Sequence, residues 1–232
     1  ALPDGGTMEV PKGVTVMIDS GAIFKLRRAS IGVGSSSASV DRSGGAVQVL
    51  GTTQRSVYFT SYDDATIGKD NNSDTTPPAP GNWGGLIFRR DVDGADQTRF
   101  DPERQGIFLN YVNHADMRYG GGNVVVDSVA QIISPIHMVD ARPTVSYNSI
   151  LFSADAAMSA TPNSFEETNF NAPQFQRAVF TSDFDRVGPD IHGNRLADDA
   201  GNANSINGLA IRVATPAGNA LRKLTVSGRF DD

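Results

Sequence analysis

The apolar residues of this chain recur at every second position, in runs too short for anything but β-strands. In GVTVMID, Val14, Val16 and Ile18 fall on one face, and Val47 and Val49 do the same in GAVQVLG. SVYFTS alternates Val57 with Phe59, and GIFLNYV alternates Ile107, Leu109 and Tyr111. PTVSYNSILF carries Val145 and Tyr147, then Ile150 and Phe152; AVFTS near Phe180, GLAIRVA with Leu209, Ile211 and Val213, and KLTVSG with Leu224 and Val226 read likewise. A period of two places successive side chains on opposite faces of a pleated backbone. No segment of ten or more residues offers a capped helical stripe. The expected class is all-β.

The connections decide between all-β architectures. Asn-Gly and Asp-Gly turns between alternating strands, the strongest hairpin signal, are scarce: Asp4-Gly5 precedes the first strand, Asp93-Gly94 sits in a polar stretch, and Asn207-Gly208 enters a strand from an irregular segment. Instead, wording repeats: VYFTSYDD at 57–64 is echoed by AVFTSDFD at 178–185. A parallel solenoid explains this, because each turn of chain lays short strands on the turn beneath while long polar loops escape at the corners, here about 27–45, 61–83 and 89–105. Lengthening such loops costs only a logarithmic entropy.

A succession of phrases supports the same reading. VPKGVTVMIDSGAIFKL, GAVQVLGTTQRSVYFTS, a polar insertion, PGNWGGLIF and LNYVNHADMRYGG resemble, in that order, the right-handed parallel β-helix domains of large bacterial secreted and cell-surface proteins. The resemblance covers roughly 8–153, and more weakly the remainder through ARPTVSYNSI and VGPDIHGNRLADD. The passage 27–45 is enlarged relative to the pattern, and Met117 stands where it prefers Ile. The resemblance implies one right-handed single-stranded β-helix over 1–232, located outside the cell or on its surface, and a scaffold, spacer or adhesin role. It supplies no catalytic residues.

Charge and composition narrow the partners. With 20 basic and 26 acidic side chains the net charge is −6, so no general attraction to nucleic acid or anionic lipid is expected. No apolar run approaches the ~18 residues of a membrane-spanning helix. Cysteine is absent, which excludes disulfides and thiolate chemistry. The start at Ala1 and the ending SGRFDD suggest a segment of a longer exported chain, whose open coil ends would meet neighbouring domains or other copies.

Two clusters carry candidate chemistry. Asp70, Asn72 and Asp74 alternate as oxygen ligands for Ca²⁺, with Asp63 and Asp64 upstream to complete the shell, although Thr75 and Gly81 occupy the places where an EF-hand-type loop has Gly and Glu. A solvated turn-rich loop is the competing reading, and Asp91, Asp93 and Asp96 pose the same choice. Asp116 and Arg118 share one face of a strand opposite Met117, with His114 close by, as a carbohydrate-active β-helix enzyme acting on surface polysaccharide would require. An outward polar face is the plainer account. His137 and His192 have no ligand spacing. Trp83 is expected in the core rather than on a sugar, Tyr62, Tyr111 and Tyr119 invite the same caution, and Asn148 is expected in an internal amide ladder.

Overall fold

A computed structural model describes residues 6–37, 39–69, 76–89, 109–126, 128–165 and 188–213. The chain forms its strands in recurring groups of three. The first group is β1 (Thr7–Glu9), β2 (Thr15–Asp19) and β3 (Ile23–Leu26), and the second is β4 (Ser30–Val33), β5 (Ala46–Leu50) and β6 (Val57–Ser61). The third is β7 (Leu86–Arg89), β8 (Tyr111–Asn113) and β9 (Ala115–Arg118), followed by a hairpin of β10 (Asn123–Val126) and β11 (Val129–Ile132). Then come β12 (Ile136–Val139), β13 (Thr144–Ser146), β14 (Ser149–Leu151), β15 (Ala156–Ala160), β16 (Asp190–His192) and β17 (Ile206–Ile211).

Corresponding strands of successive groups pair. The first sheet runs β1-β4-β7-β12-β15-β17, the second β16-β13-β8-β5-β2, and the third β14-β9-β6-β3. Pairing within all three is parallel; β10 and β11 alone, among the described strands, pair antiparallel. An all-β chain that returns to each of three parallel sheets in turn is consistent with a parallel β-solenoid. Among the described residues no helix is long and apolar enough to cross a membrane.

Register turns the period-two pattern into columns. Met8, Ile31, Leu86, Ile136, Met158 and Leu209 lie side by side across the first sheet. Ile18, Val49, Val112, Val145 and Ile191 do so across the second, and Phe24, Phe59, Met117 and Ile150 across the third. All three columns meet in one core, in which Val49, Val112 and Val145 are each 0% exposed. Each fully buried aliphatic or aromatic side chain contributes about 1.5–3 kcal/mol. Four of the six column ends, Met8, Phe24, Leu209 and Ile191, are only partly buried, whereas Ile18 and Ile150 are buried.

The stretch between β6 and β7 is therefore an excursion between the third sheet and the first. Trp83 closes it: the indole is 0% exposed, 6.2 Å from the Phe59 ring, and its Nε1 donates to the Arg118 carbonyl at 2.7 Å. The two following glycines are required by proximity, since a Cβ on Gly84 would stand 2.9 Å from Val124 and one on Gly85 2.0 Å from the Ser134 oxygen.

Several local expectations need correction. The passage 27–45 is not wholly a loop, because Ile31 and Val33 alternate inward within β4. Along β8 the inward residue is Val112, not Tyr111, because the preceding Asn110 is itself buried and its Oδ1 accepts the Val47 amide at 2.9 Å. Tyr147 and Phe152 do not continue the strand faces of Val145 and Ile150; each turns a corner with positive φ, 56° and 59°. The alternation Leu209, Ile211, Val213 holds only at Leu209, for Ile211, at the end of β17, and Val213, beyond it, are exposed. The hairpin has no Asn-Gly or Asp-Gly; Ser128, at φ 66°, serves its turn. Ile107, Phe180, Leu224 and Val226 lie outside the described residues.

Candidate functional site

β9 presents Asp116 and Arg118 outward while Met117 between them is 0% exposed. Their side chains are committed to each other: Arg118 Nε donates to Asp116 Oδ1 and Nη2 to Oδ2, both at 2.8 Å. This hydrogen-bonded pairing with Asp116 raises the Arg118 pKa further. A two-point fork engages both carboxylate oxygens, so Asp116 is held in place as the ion-pair partner of Arg118.

Asp64 sits beside this pair and is 0% exposed. Its Oδ2 accepts from Thr60 Oγ1 at 2.6 Å, and its Oδ1 accepts from Thr66 Oγ1 at 2.6 Å and from the Thr66 amide at 2.9 Å. Burial opposes ionisation, but these donors and the nearby Arg118 charge outweigh it and hold the carboxyl below the usual range. Burial, then the Asp64 charge, raises the Tyr119 phenol. Lys25 ties the two ends of the described loop together: its Nζ donates to the Asp64 carbonyl at 2.7 Å and to the Lys69 carbonyl at 2.6 Å.

Of the five residues expected to bind Ca²⁺, Asp70, Asn72 and Asp74 lie outside the described residues, as do Asp91, Asp93 and Asp96. Asp63 is half-buried and its amide donates to Ser61 Oγ at 3.1 Å. Among the described residues no three His, Asp or Glu side chains gather as a metal site. Next to this loop lies an open depression of about 340 Å³ lined by Ile23, Lys25, Tyr62 and Lys69. The Arg27 guanidinium stands 5.2 Å from the centre of the Tyr62 ring, within cation–π range. Among the described residues the depression brings the Lys25 and Lys69 ammonium groups beside the Tyr62 ring.

His114 does not join Asp116. It turns the corner between β8 and β9 at φ 49°, and its ring stacks 5.3 Å from that of Tyr147, which meets His192 edge-on at 5.2 Å. The column of His114, Tyr147 and His192 was invisible in the linear spacing; it needs both the two successive corners at His114 and Tyr147 and the register that sets His192 beside Ser146. Tyr119 and Phe152 stack in the same manner, 5.0 Å apart.

A second polar cluster escaped notice on the outer side of the first sheet. Register sets His137 beside Ser159, and His137 Nδ1 lies 2.7 Å from Ser159 Oγ. Asp155 accepts from Ser134 Oγ at 2.8 Å and pairs with Arg212, brought from 57 positions away by the pairing of β15 with β17. Burial, then the Arg212 charge, pushes His137 down to about 4. At 7% and 0% exposure, His137 and Ser159 lie beneath the surface, where a neutral imidazole satisfies a buried hydroxyl.

Compared with known protein families, with curated proteins and with solved structures, the chain matches none. The likeness to β-helix domains thus stands on the quoted phrases and is compatible with the parallel sheets.

Proposed function

We propose that this chain is a right-handed single-stranded parallel β-helix acting as a structural or adhesive module of an exported bacterial surface protein, a rigid spacer that displays its loops. The observation that carries this reading is the unbroken six-residue column from Met8 to Leu209, which builds a rod by repetition. The partial exposure of Met8, Phe24, Leu209 and Ile191 at column ends favours contact with neighbouring domains or other copies through the coil ends. Calcium held by Asp70, Asn72 and Asp74 is the stabilising ion of this reading. A melting temperature raised by calcium but not magnesium, with the rise lost in Asp70→Asn, tests that part.

The competing reading is a carbohydrate-active enzyme using Asp116, Arg118 and His114. It is favoured only by the depression lined by Lys25, Tyr62 and Lys69, and the mutual fork of Asp116 and Arg118 counts against it. Reducing-end release from acidic and neutral polysaccharides separates the two. The scaffold reading expects background release from the parent chain and from an Asp116→Asn, Arg118→Met double variant alike. Turnover by the parent that the double variant abolishes would establish the enzyme instead.

A further inference from the structure

The hairpin lies against the outer side of the first sheet, where Val124 and Val126 join Ile87 and Ile133 in a small apolar cluster separate from the main core. The Ile133 amide donates to the Gly122 carbonyl at 3.1 Å. By the alternation of an antiparallel ladder, the backbone groups of Gln131 and Val129 then face β10, and those of Ala130 and Ile132 face away. The same alternation turns the Val125 carbonyl away from β11, and there it accepts the Thr7 hydroxyl at 2.8 Å. One edge of the hairpin is thus engaged by β1.

Among the described residues no strand pairs with the other edge. All four residues of β11 are exposed. They include Val129 and Gln131, which share the face of the buried Val126 and Val124, so β11 overhangs the sheet rather than lying on it. Natural edges are commonly guarded by charge, proline or a bulge. Neither NVVV nor VAQI contains a charged residue or a proline, and their register is regular.

We propose that β11 is the contact of a weak two-fold dimer of this chain, in which two copies pair β11 antiparallel with Gln131 on the axis. In that register Ala130 faces Ile132 of the second copy, and Ile132 faces its Ala130. Each pair exchanges two N–H···O bonds, using every outward backbone group of both strands. The two Gln131 side chains meet in the closely spaced pair between them, where amides donate to and accept from each other. Self-complementarity selects a second copy as the occupant, and an uncharged edge lets two chains of net charge −6 approach there. A four-residue edge is well below the ~1,200–2,000 Å² of stable interfaces, so the dimer is reversible and favoured by crowding.

The chain has no cysteine, so Gln131→Cys introduces a single thiol at the axis, where backbones about 4.5 Å apart suit a disulfide. Under mild oxidation this variant is expected to form a covalent dimer at least about tenfold faster than Val125→Cys, an exposed site on the other strand. Sedimentation of the parent chain should show reversible dimer growth with concentration. Gln131→Lys should abolish that growth without changing the melting curve. Equal cross-linking rates in the two cysteine variants, or a dimer indifferent to Gln131→Lys, would overturn the proposal.

Discussion

Asn194 stands one strand beyond Asn148, and its Oδ1 accepts both the Asn148 backbone amide at 3.0 Å and the Asn148 Nδ2 at 2.9 Å. In the other direction Asn148 Oδ1 accepts the Ala115 amide at 2.8 Å and Nδ2 donates to the Val112 carbonyl at 2.9 Å. Asn148 is 1% exposed, so one amide satisfies backbone groups left over where the second sheet gives way to the third.

Replacing Asn148 by Ala orphans the Ala115 amide and the Val112 carbonyl in a dry corner. The expected loss is about 2–4 kcal/mol in urea unfolding, since each buried unsatisfied group costs about 1–3 kcal/mol. Asn148→Asp should be worse near pH 7 than near pH 4, because a buried carboxylate cannot donate to Val112. A loss under about 0.5 kcal/mol for Asn148→Ala would mean that water replaces the ladder.

Trp83 is the sole tryptophan and is 0% exposed, so it reports on the core without labelling. Its emission should be blue-shifted, resist iodide quenching and ignore added polysaccharide. Trp83→Phe, which leaves the Arg118 carbonyl without its donor, should cost about 1–3 kcal/mol. Ready quenching by iodide would place the ring on the surface.

His137 gives the fold an acid-sensitive element. Burial and the Arg212 charge, with a smaller contribution from Arg89, outweigh Asp155 and lower its pKa from 6.5 to about 4. As pH falls below 6.5 the unfolded chain takes up a proton that the folded chain refuses. Stability therefore declines from pH 6.5 to about 4 and levels off below, by about 3 kcal/mol in all. Unfolding of His137→Asn, compared with the parent over this range, should lack that part of the slope.

Asp64 anchors the loop that leaves β6. Its lowered pKa means that this stabilisation is present above the ordinary carboxylate range and is lost as pH falls through the folded value. Asp64→Ala strands the Thr60 and Thr66 donors and should cost about 2–3 kcal/mol, with faster amide exchange at Thr66. Lys25→Met, which removes the ammonium from the Asp64 and Lys69 carbonyls, should loosen the same loop while leaving the Val112 amide protected.

The strand interiors were legible because one face of each is buried in a shared core, which imposes strict alternation on Val47, Val49, Val57 and Phe59. Trp83 and Asn148 could also be placed, each being the one chemical type that suits its corner. Tyr147 and Phe152 misled because an aromatic at a corner stacks on the next corner instead of entering the core, and a period of two cannot distinguish these fates; Tyr111 misled because the buried Asn110 before it shifts the inward position to Val112. Asp116 and Arg118 were rightly placed on one face, but their mutual fork depends on side-chain direction. His137 with Ser159, and Asp155 with Arg212, required the register between strands far apart in sequence.

The proposed stacking of strands into a rigid rod is tested most directly by a distance along one column. Met17, Gln48, Tyr111, Thr144 and Asp190 lie in register across the second sheet, and both Met17 and Asp190 are exposed. Spin labels on Met17→Cys and Asp190→Cys in the otherwise cysteine-free chain should report a single narrow distribution for backbones about 19 Å apart, four steps of about 4.8 Å. Moving the second label from Asp190 to Thr144 should shorten the distance by about 5 Å. A broad distribution, or a Met17 to Asp190 separation beyond about 30 Å, would contradict the stacked scaffold.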